Sequence, residues 1–302
     1  MISLSELRKE DIIKPTELLQ QINKIHRTTF ALVEQYAQGE QGAFAIVDSR
    51  GKHYVLKWRP DLEHASQVHY VREVTDHLRT KGYPAPAYVW SGYALGGTYF
   101  VQTTLPGTPM RFLTESFLSR LIALNELQVG QAPPGPRDWP QEVVNTLLFG
   151  GHGYCIHTSL QQHSPETAAL LHQLQQLVLR HQEEPTEIND IVHFDFQPSN
   201  VLIHHQEISG VVDWEATCAG DAAFDLATLL FYIYDNVALR EQLWRYALER
   251  ASLSVLSVYL AHLILRQVDW SLRHHDQATS NRFLFRGQAL LQEIALRSRE
   301  AR

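Results

Sequence analysis

Along the first part of this chain apolar residues gather in short runs, whereas from Phe112 onward they recur at helical spacing. The runs Ala43-Phe-Ala-Ile-Val47, His53-Tyr-Val-Leu-Lys57, Tyr88 to Trp90 and Thr98 to Gln102 are rich in β-branched and aromatic residues and predict strands. Among them the amphipathic segment Val71-Arg-Glu-Val-Thr-Asp-His-Leu78 predicts one main helix, closed by Gly82-Tyr-Pro-Ala-Pro86. Later, Thr167 to Leu179, Leu226 to Tyr234 and Ser252 to His275 read as helices, the last apolar along one face with Arg266, Asp269 and Arg273 at intervals. Ala132-Pro-Pro-Gly-Pro136 marks a surface loop. Gly150-Gly-His-Gly153, which lacks the Lys-Ser/Thr of a Walker loop, marks a turn between helices. The change of pattern near Thr103 to Gly107 places a lobe boundary there, giving an expected division into 1–104 and 105–302.

One strand pair interrupts the helical half. Val201-Leu-Ile203, the polar turn His204-His-Gln-Glu207 and the run Ile208 to Val212 read as a hairpin that brings Asn200 and Asp213 to one end. Just ahead of it His193, Asp195 and Asn200 form an H-x-D-x-x-x-x-N pattern, with Pro198 stiffening the loop between Asp195 and Asn200. These are the polar parts that phosphoryl transfer needs. The acceptor hydroxyl must be held in line and give up its proton late, while a metal ion neutralises the triphosphate. A carboxylate such as Asp195 suits the first task. Asn200 and Asp213 offer hard oxygen ligands for Mg²⁺.

The segment His193 to Ala227, with His193-Phe-Asp, Pro198-Ser-Asn, Val211-Val-Asp-Trp-Glu215 and Gly220-Asp-Ala-Ala-Phe-Asp-Leu-Ala227, resembles the aminoglycoside phosphotransferase and choline kinase superfamily. The resemblance implies an α+β, bilobal protein-kinase-like fold, with a small antiparallel-sheet N-lobe for nucleotide and a larger, mainly helical C-lobe for acceptor. It implies ATP or GTP with Mg²⁺ as cofactors, Asp195 as catalytic base with His193 beside it, and Asn200 and Asp213 on the metal. Lys57 would contact the α- and β-phosphates and be oriented by Glu73. Backbone amides between Gly42, Ala43 and Phe44 would cradle phosphates although no G-x-G-x-x-G is present, and backbone groups of Thr103 and Leu105 would meet the adenine. Asp225 would support the catalytic loop from behind, and Asp221 would cap a helix. The family usually has Gly where this chain has Phe194.

Protein kinases share this core but need an ordered peptide-binding segment after the metal Asp. Asp213 and Asp225 lie too close in sequence to leave room for one. A small-molecule acceptor is therefore expected, and an aminoglycoside, an amino alcohol, homoserine and a sugar all suit the same set. Glu215, Asp235, Asp269 and Asp276 could meet an ammonium, but each reads first as an exposed, solubilising carboxylate. The alternative is a catalytically inactive kinase-fold protein that binds nucleotide or a partner, against which the intact Lys57, Asp195, Asn200 and Asp213 speak.

Composition narrows this only slightly. The 302 residues, 44% of them apolar, suffice for two lobes. Lys plus Arg number 26 against 33 Asp plus Glu, a net −7 that argues against a nucleic-acid partner and suits a cationic acceptor, although such a balance also serves solubility. No signal-like stretch opens the chain, and the uncharged run Ala251 to Leu265 falls short of the roughly 20 residues of a membrane span. The two cysteines, Cys155 and Cys218, form no C-x-x-C pair, so the chain reads as cytoplasmic and disulfide-free. The 16 histidines show no zinc-like spacing. A monomer and a homodimer both stay open.

Overall fold

A computed structural model describes residues 15–36, 43–59, 65–134, 139–181 and 189–300. The N-terminal stretch, Gly39, Gly42 and the end of the Ala132–Pro136 loop lie outside them. The chain divides into two compact units, one of residues 1–107 with 209–215 and the other of 108–208 with 216–302. The division thus falls a few residues after the expected boundary and adds the short segment carrying Asp213 to the first unit.

The first unit consists of α1 (Pro15–His26), β1 (Ala31–Gln35), β2 (Ala43–Val47), β3 (His53–Arg59), α2 (Ala65–Thr80), β4 (Tyr88–Ala94) and β5 (Gly97–Thr103). Its strands form one antiparallel sheet in the order β1-β2-β3-β5-β4. Alternation along β3 decides which side chains serve packing and which serve chemistry. Leu56 enters a core with Leu18, Ile22, Phe30, Phe44, Ile46, Tyr99 and Val101, and Tyr54 and Trp58 pack against the same cluster. Lys57 and Arg59 consequently point to the other face. In register, Lys57 lies opposite Ala43 of β2 and Phe100 of β5. The segment 209–215 is tied to this unit where the Val211 N–H donates to the Pro84 carbonyl at 2.8 Å and Trp214 meets Tyr83 edge-on at 5.4 Å.

The second unit contains β6 (Thr108–Pro109), α3 (Glu115–Glu126), α4 (Gln141–Phe149), α5 (His157–His163), α6 (Pro165–His181), β7 (Asp190–Val192) and β8 (Val201–His204). Strand β9 (Glu207–Val211) leads into the segment that joins the first unit, and β10 (Cys218–Gly220), α7 (Ala223–Tyr232), α8 (Val237–Arg250), α9 (Leu253–His274) and α10 (Gln277–Glu300) follow. Strand β10 pairs with β7, and β6 with β8, both antiparallel.

The centre of this unit is α9. Its start is fixed by Ser252, whose hydroxyl accepts the Val255 N–H at 3.2 Å. The sequence suggests one apolar face, but every residue from Val255 to Leu265 is buried, because α4, α5, α6, α7 and α10 all pack against the helix. A helix apolar on all sides is stable only when surrounded in this way. Both cysteines are buried and not joined in a disulfide, and among the described residues no helix is long and apolar enough to cross a membrane. Leu260 has no exposed surface. Leu260→Ala should therefore lower the unfolding free energy by about 2–5 kcal/mol, read from the denaturant midpoint.

Candidate active site

Two clusters of polar side chains stand out, one in each unit. In the first unit the Lys57 ammonium donates to Asp213 Oδ1 at 2.7 Å and Glu215 Oε2 at 3.0 Å, and Arg59 Nη2 lies 3.6 Å from the same Asp213 oxygen. The local chain explains the grouping. Asp213 takes the left-handed region at φ 72°, which turns the backbone out of β9 into the short helical turn Trp214–Ala216. Trp214 anchors that turn, fully buried with its indole N–H donating to the Val211 carbonyl at 2.8 Å.

The three charges shift one another. Burial by itself would depress the Lys57 ammonium, but the Asp213 and Glu215 charges outweigh it and hold the group above its ordinary range. Burial works on Asp213 in the opposite direction to the Lys57 charge, and the charge prevails, holding the carboxyl far below its usual range. Glu215 is pushed up, by burial first, with the Asp213 charge adding to it against Lys57. A single proton in this trio therefore belongs on Glu215 and leaves Asp213 an open carboxylate.

Glu73, expected beside Lys57, lies on the exposed face of α2, and among the described residues the ion-pair partners of Lys57 are Asp213 and Glu215. That expectation is corrected. The carboxylate beside Lys57 is Glu215, which the sequence placed among exposed solubilising groups and which is 2% exposed. Asp269 is likewise fully buried, held by Arg273 at 2.7 and 2.8 Å and by Ser159 at 2.6 Å. Asp235 pairs with Arg286, and Asp276 accepts the Thr279 N–H near the start of α10. The Phe44 side chain is in the core opposite Leu56, so a nucleotide could meet only its backbone. Thr103 gives its N–H to the Ala87 carbonyl and accepts the Ala87 N–H on its hydroxyl, which removes that N–H as an adenine contact. Leu105 is half-buried just beyond β5, and Gly42 lies outside the described residues.

The second cluster sits on the loop between β7 and β8. His193 is fully buried, and its Nδ1 accepts the Asp195 N–H at 3.2 Å. The backbone N–H groups of His193 and Phe194 donate to the two Asp225 oxygens at 2.8 and 3.0 Å, and the buried Gln128 amide donates to the same carboxylate at 2.8 Å. Asn200 donates from Nδ2 to both the backbone oxygen and Oδ2 of Asp195, each at 2.9 Å, which leaves its amide oxygen for another partner. Gln197 Nε2 also reaches Asp195 Oδ2 at 2.9 Å. Pro198 opens the helical turn Pro198–Asn200, where its missing N–H costs nothing.

The sequence reading missed Gln197, Gln128 and above all Arg266, whose Nη2 donates to Asp195 Oδ1 at 2.6 Å. Arg266 carries a signal that can be recognised afterwards, as the one charge next to the uncharged run of α9. Such a residue needs a buried partner.

Among the described residues no three His, Cys, Asp or Glu side chains group as a metal site. A divalent ion would need oxygens from a ligand as well. Asp213, deprotonated, and Asn200, with a free amide oxygen, match the donor type that Mg²⁺ takes alongside phosphate oxygens.

These features are those of a kinase-like phosphotransferase, and the comparisons agree. The chain is 24% identical over 257 residues to the hygromycin-B 4-O-kinase of Escherichia coli, covering 79% of this chain and 74% of that protein. The crystal structure of a thermostable mutant of aminoglycoside phosphotransferase APH(4)-Ia in apo form superposes with a TM-score of 0.67 at 21% identity, covering 90% of this chain and 97% of the other. Choline kinase LicA from Streptococcus pneumoniae superposes with a TM-score of 0.61 at 11% identity, covering 92% and 99%. The fold is protein-kinase-like. Residues 33–257 match the phosphotransferase enzyme family, and the chain belongs to it.

Asp225 offers a test of how the catalytic loop is held. Burial pushes its carboxyl up to about 7, against the three donors that favour the ionised form. A raised folded-state value means that the stabilisation is full below the ordinary carboxylate range and is lost as pH rises through about 7. The unfolding free energy from denaturant titrations should fall by roughly 3 kcal/mol between pH 4.5 and 7.5 from this group, and Asp225→Asn should flatten that slope. Equal slopes in both proteins would refute the assignment.

Proposed function

We propose that this protein moves the γ-phosphoryl group of ATP to a hydroxyl of a small, amine-bearing molecule, an aminoglycoside-like antibiotic or an amino alcohol. The observation that carries the reading is the Asp195 carboxylate, held by Arg266, Gln197 and Asn200 on a loop that Asp225 fixes from behind. A carboxylate held in one orientation and still 15% exposed is suited to accept a proton from an acceptor. The relative that phosphorylates hygromycin B and the structural relationship to a choline kinase support the substrate class. A thermostable APH(4)-Ia mutant has been crystallised with ADP and hygromycin B, which supports ATP as donor.

In this reading the acceptor oxygen bonds to the γ-phosphorus while the bond from that phosphorus to the β–γ bridging oxygen breaks. ADP departs, and the hydroxyl proton passes to a carboxylate oxygen of Asp195. His193 is a positioning residue, since its Nδ1 holds the Asp195 N–H. Lys57 is assigned to the α- and β-phosphates, and its release from Asp213 would expose that carboxylate. Asn200 and Asp213 would hold Mg²⁺, which neutralises charge on the phosphate oxygens when bound. Glu215 takes over the orienting role expected of Glu73, because it is the buried carboxylate that touches the Lys57 ammonium.

Transfer of labelled γ-phosphate from ATP·Mg²⁺ to a panel of aminoglycosides, amino alcohols, homoserine and sugars tests the reading. One compound should become labelled. Asp195→Asn should lower that turnover by about 10²–10⁴-fold with little change in ATP affinity, because general-base effects are of that size. Lys57→Met should instead raise the KM for ATP. ATP binding without label on any compound would favour a nucleotide-binding protein over an enzyme.

A further inference from the structure

The loop residue Phe194 departs from what its backbone favours. It sits at φ 73°, in the left-handed region where a β-carbon is strained and glycine is at ease. The strain must be met by surrounding contacts. They are on hand. The Phe194 ring stacks on Phe224 with centroids 5.0 Å apart and planes 6° from parallel, and His262 and Tyr154 stand edge-on to it at 5.7 and 6.3 Å. The guanidinium carbon of Arg266 lies 5.0 Å from the centroid of the same ring.

Arg266 also binds the backbone that the left-handed turn presents. Its Nη1 donates to the Phe194 carbonyl at 2.5 Å while its Nη2 donates to Asp195 Oδ1 at 2.6 Å. One planar fork thus spans a carbonyl and the neighbouring carboxylate, which a lysine ammonium could not do with the same geometry. The loop is gripped from two sides, for the N–H groups of His193 and Phe194 go to the Asp225 carboxylate. One buried anion takes the donors and one cation takes the acceptors. Both Arg266 and Asp195 are largely shielded, with 16% and 15% of their side chains exposed, so the pair is stronger than a surface ion pair.

We infer that Arg266 is a positioning residue for phosphoryl transfer, fixing the side-chain direction of Asp195, and that the Phe194 ring is the platform that holds Arg266 in place. The inference rests on the reading of Asp195 as the base. It explains the phenylalanine at a position that favours glycine, because the ring supplies what glycine lacks, a face for the guanidinium. Gln197 and Asn200 hold the other carboxylate oxygen, so without Arg266 the carboxylate keeps contacts on one side only.

The test compares kcat and KM in Arg266→Met with the wild type, using ATP·Mg²⁺ with whichever panel compound is labelled and, without acceptor, slow ATP hydrolysis. Because misplacing a reacting group by about 1 Å can cost roughly 100-fold, kcat should fall by about that factor while the KM for ATP stays within about twofold. Arg266→Lys, which keeps the charge but not the fork, should recover about tenfold of the loss. Circular dichroism and the thermal midpoint establish that each variant is folded. If the methionine variant does not fold, Arg266→Gln decides, since it keeps an amide donor but no charge. A tenfold or larger loss of kcat in that variant supports the role. A folded Arg266→Met or Arg266→Gln with kcat within threefold of wild type overturns it, as does a KM for ATP that rises as far as kcat falls, the mark of general loosening. A wild type that transfers phosphate to no compound and hydrolyses no ATP sinks the kinase reading and this inference with it. Wild-type activity unaffected by the Arg266 substitutions sinks the inference alone.

Discussion

The fully buried carboxylate of Asp225 is the constraint on which the loop between β7 and β8 depends. An ion without exposed surface must be hydrogen-bonded on every side or give up its charge. Asp225 finds its donors in the backbone N–H groups of His193 and Phe194 and in the Gln128 amide. Two consecutive N–H groups aimed at one carboxylate set the loop's path, and Phe194 accordingly adopts φ 73°. The side chain of Asp195 is held by Arg266, Gln197 and Asn200. The cost of burying one carboxylate thereby fixes the direction of another.

The first unit solves a related problem in another way. Lys57 leaves β3 on the face away from the core, and its charge is met by Asp213 and Glu215. The two carboxylates divide the roles by environment, Asp213 held far down by Lys57 and Glu215 pushed up by burial. Glu73 lies on an exposed face of α2, and the buried carboxylate at Lys57 comes instead from Glu215.

Local chemistry and short spacing made a good part of this legible beforehand. Short runs rich in β-branched and aromatic residues gave β2 to β5, helical periodicity gave α6, α7 and α9, and the H-x-D-x-x-x-x-N pattern with the following Val-Val-Asp-Trp gave the loop and the hairpin. Those features are determined within a few residues, where period and turn chemistry act. The support given by Asp225 was expected from the resemblance of the quoted segment to a known superfamily, not from spacing.

What the tertiary structure alone decided are the pairings between distant positions. Arg266 and Asp195 are far apart in sequence, as are Lys57 and Glu215, and although a charge beside an apolar run signals that a partner is needed, nothing local says which residue it is. Burial decided the others. Glu215 and Asp269 read as solubilising groups until packing enclosed them, and α9 read as one-sided until the surrounding helices covered it. The sequence by itself determined which chemistry is present, because residue type and spacing carry it. The fold decided which groups face one another, because ion pairs, desolvation and the strain at Phe194 exist only once distant segments are brought together.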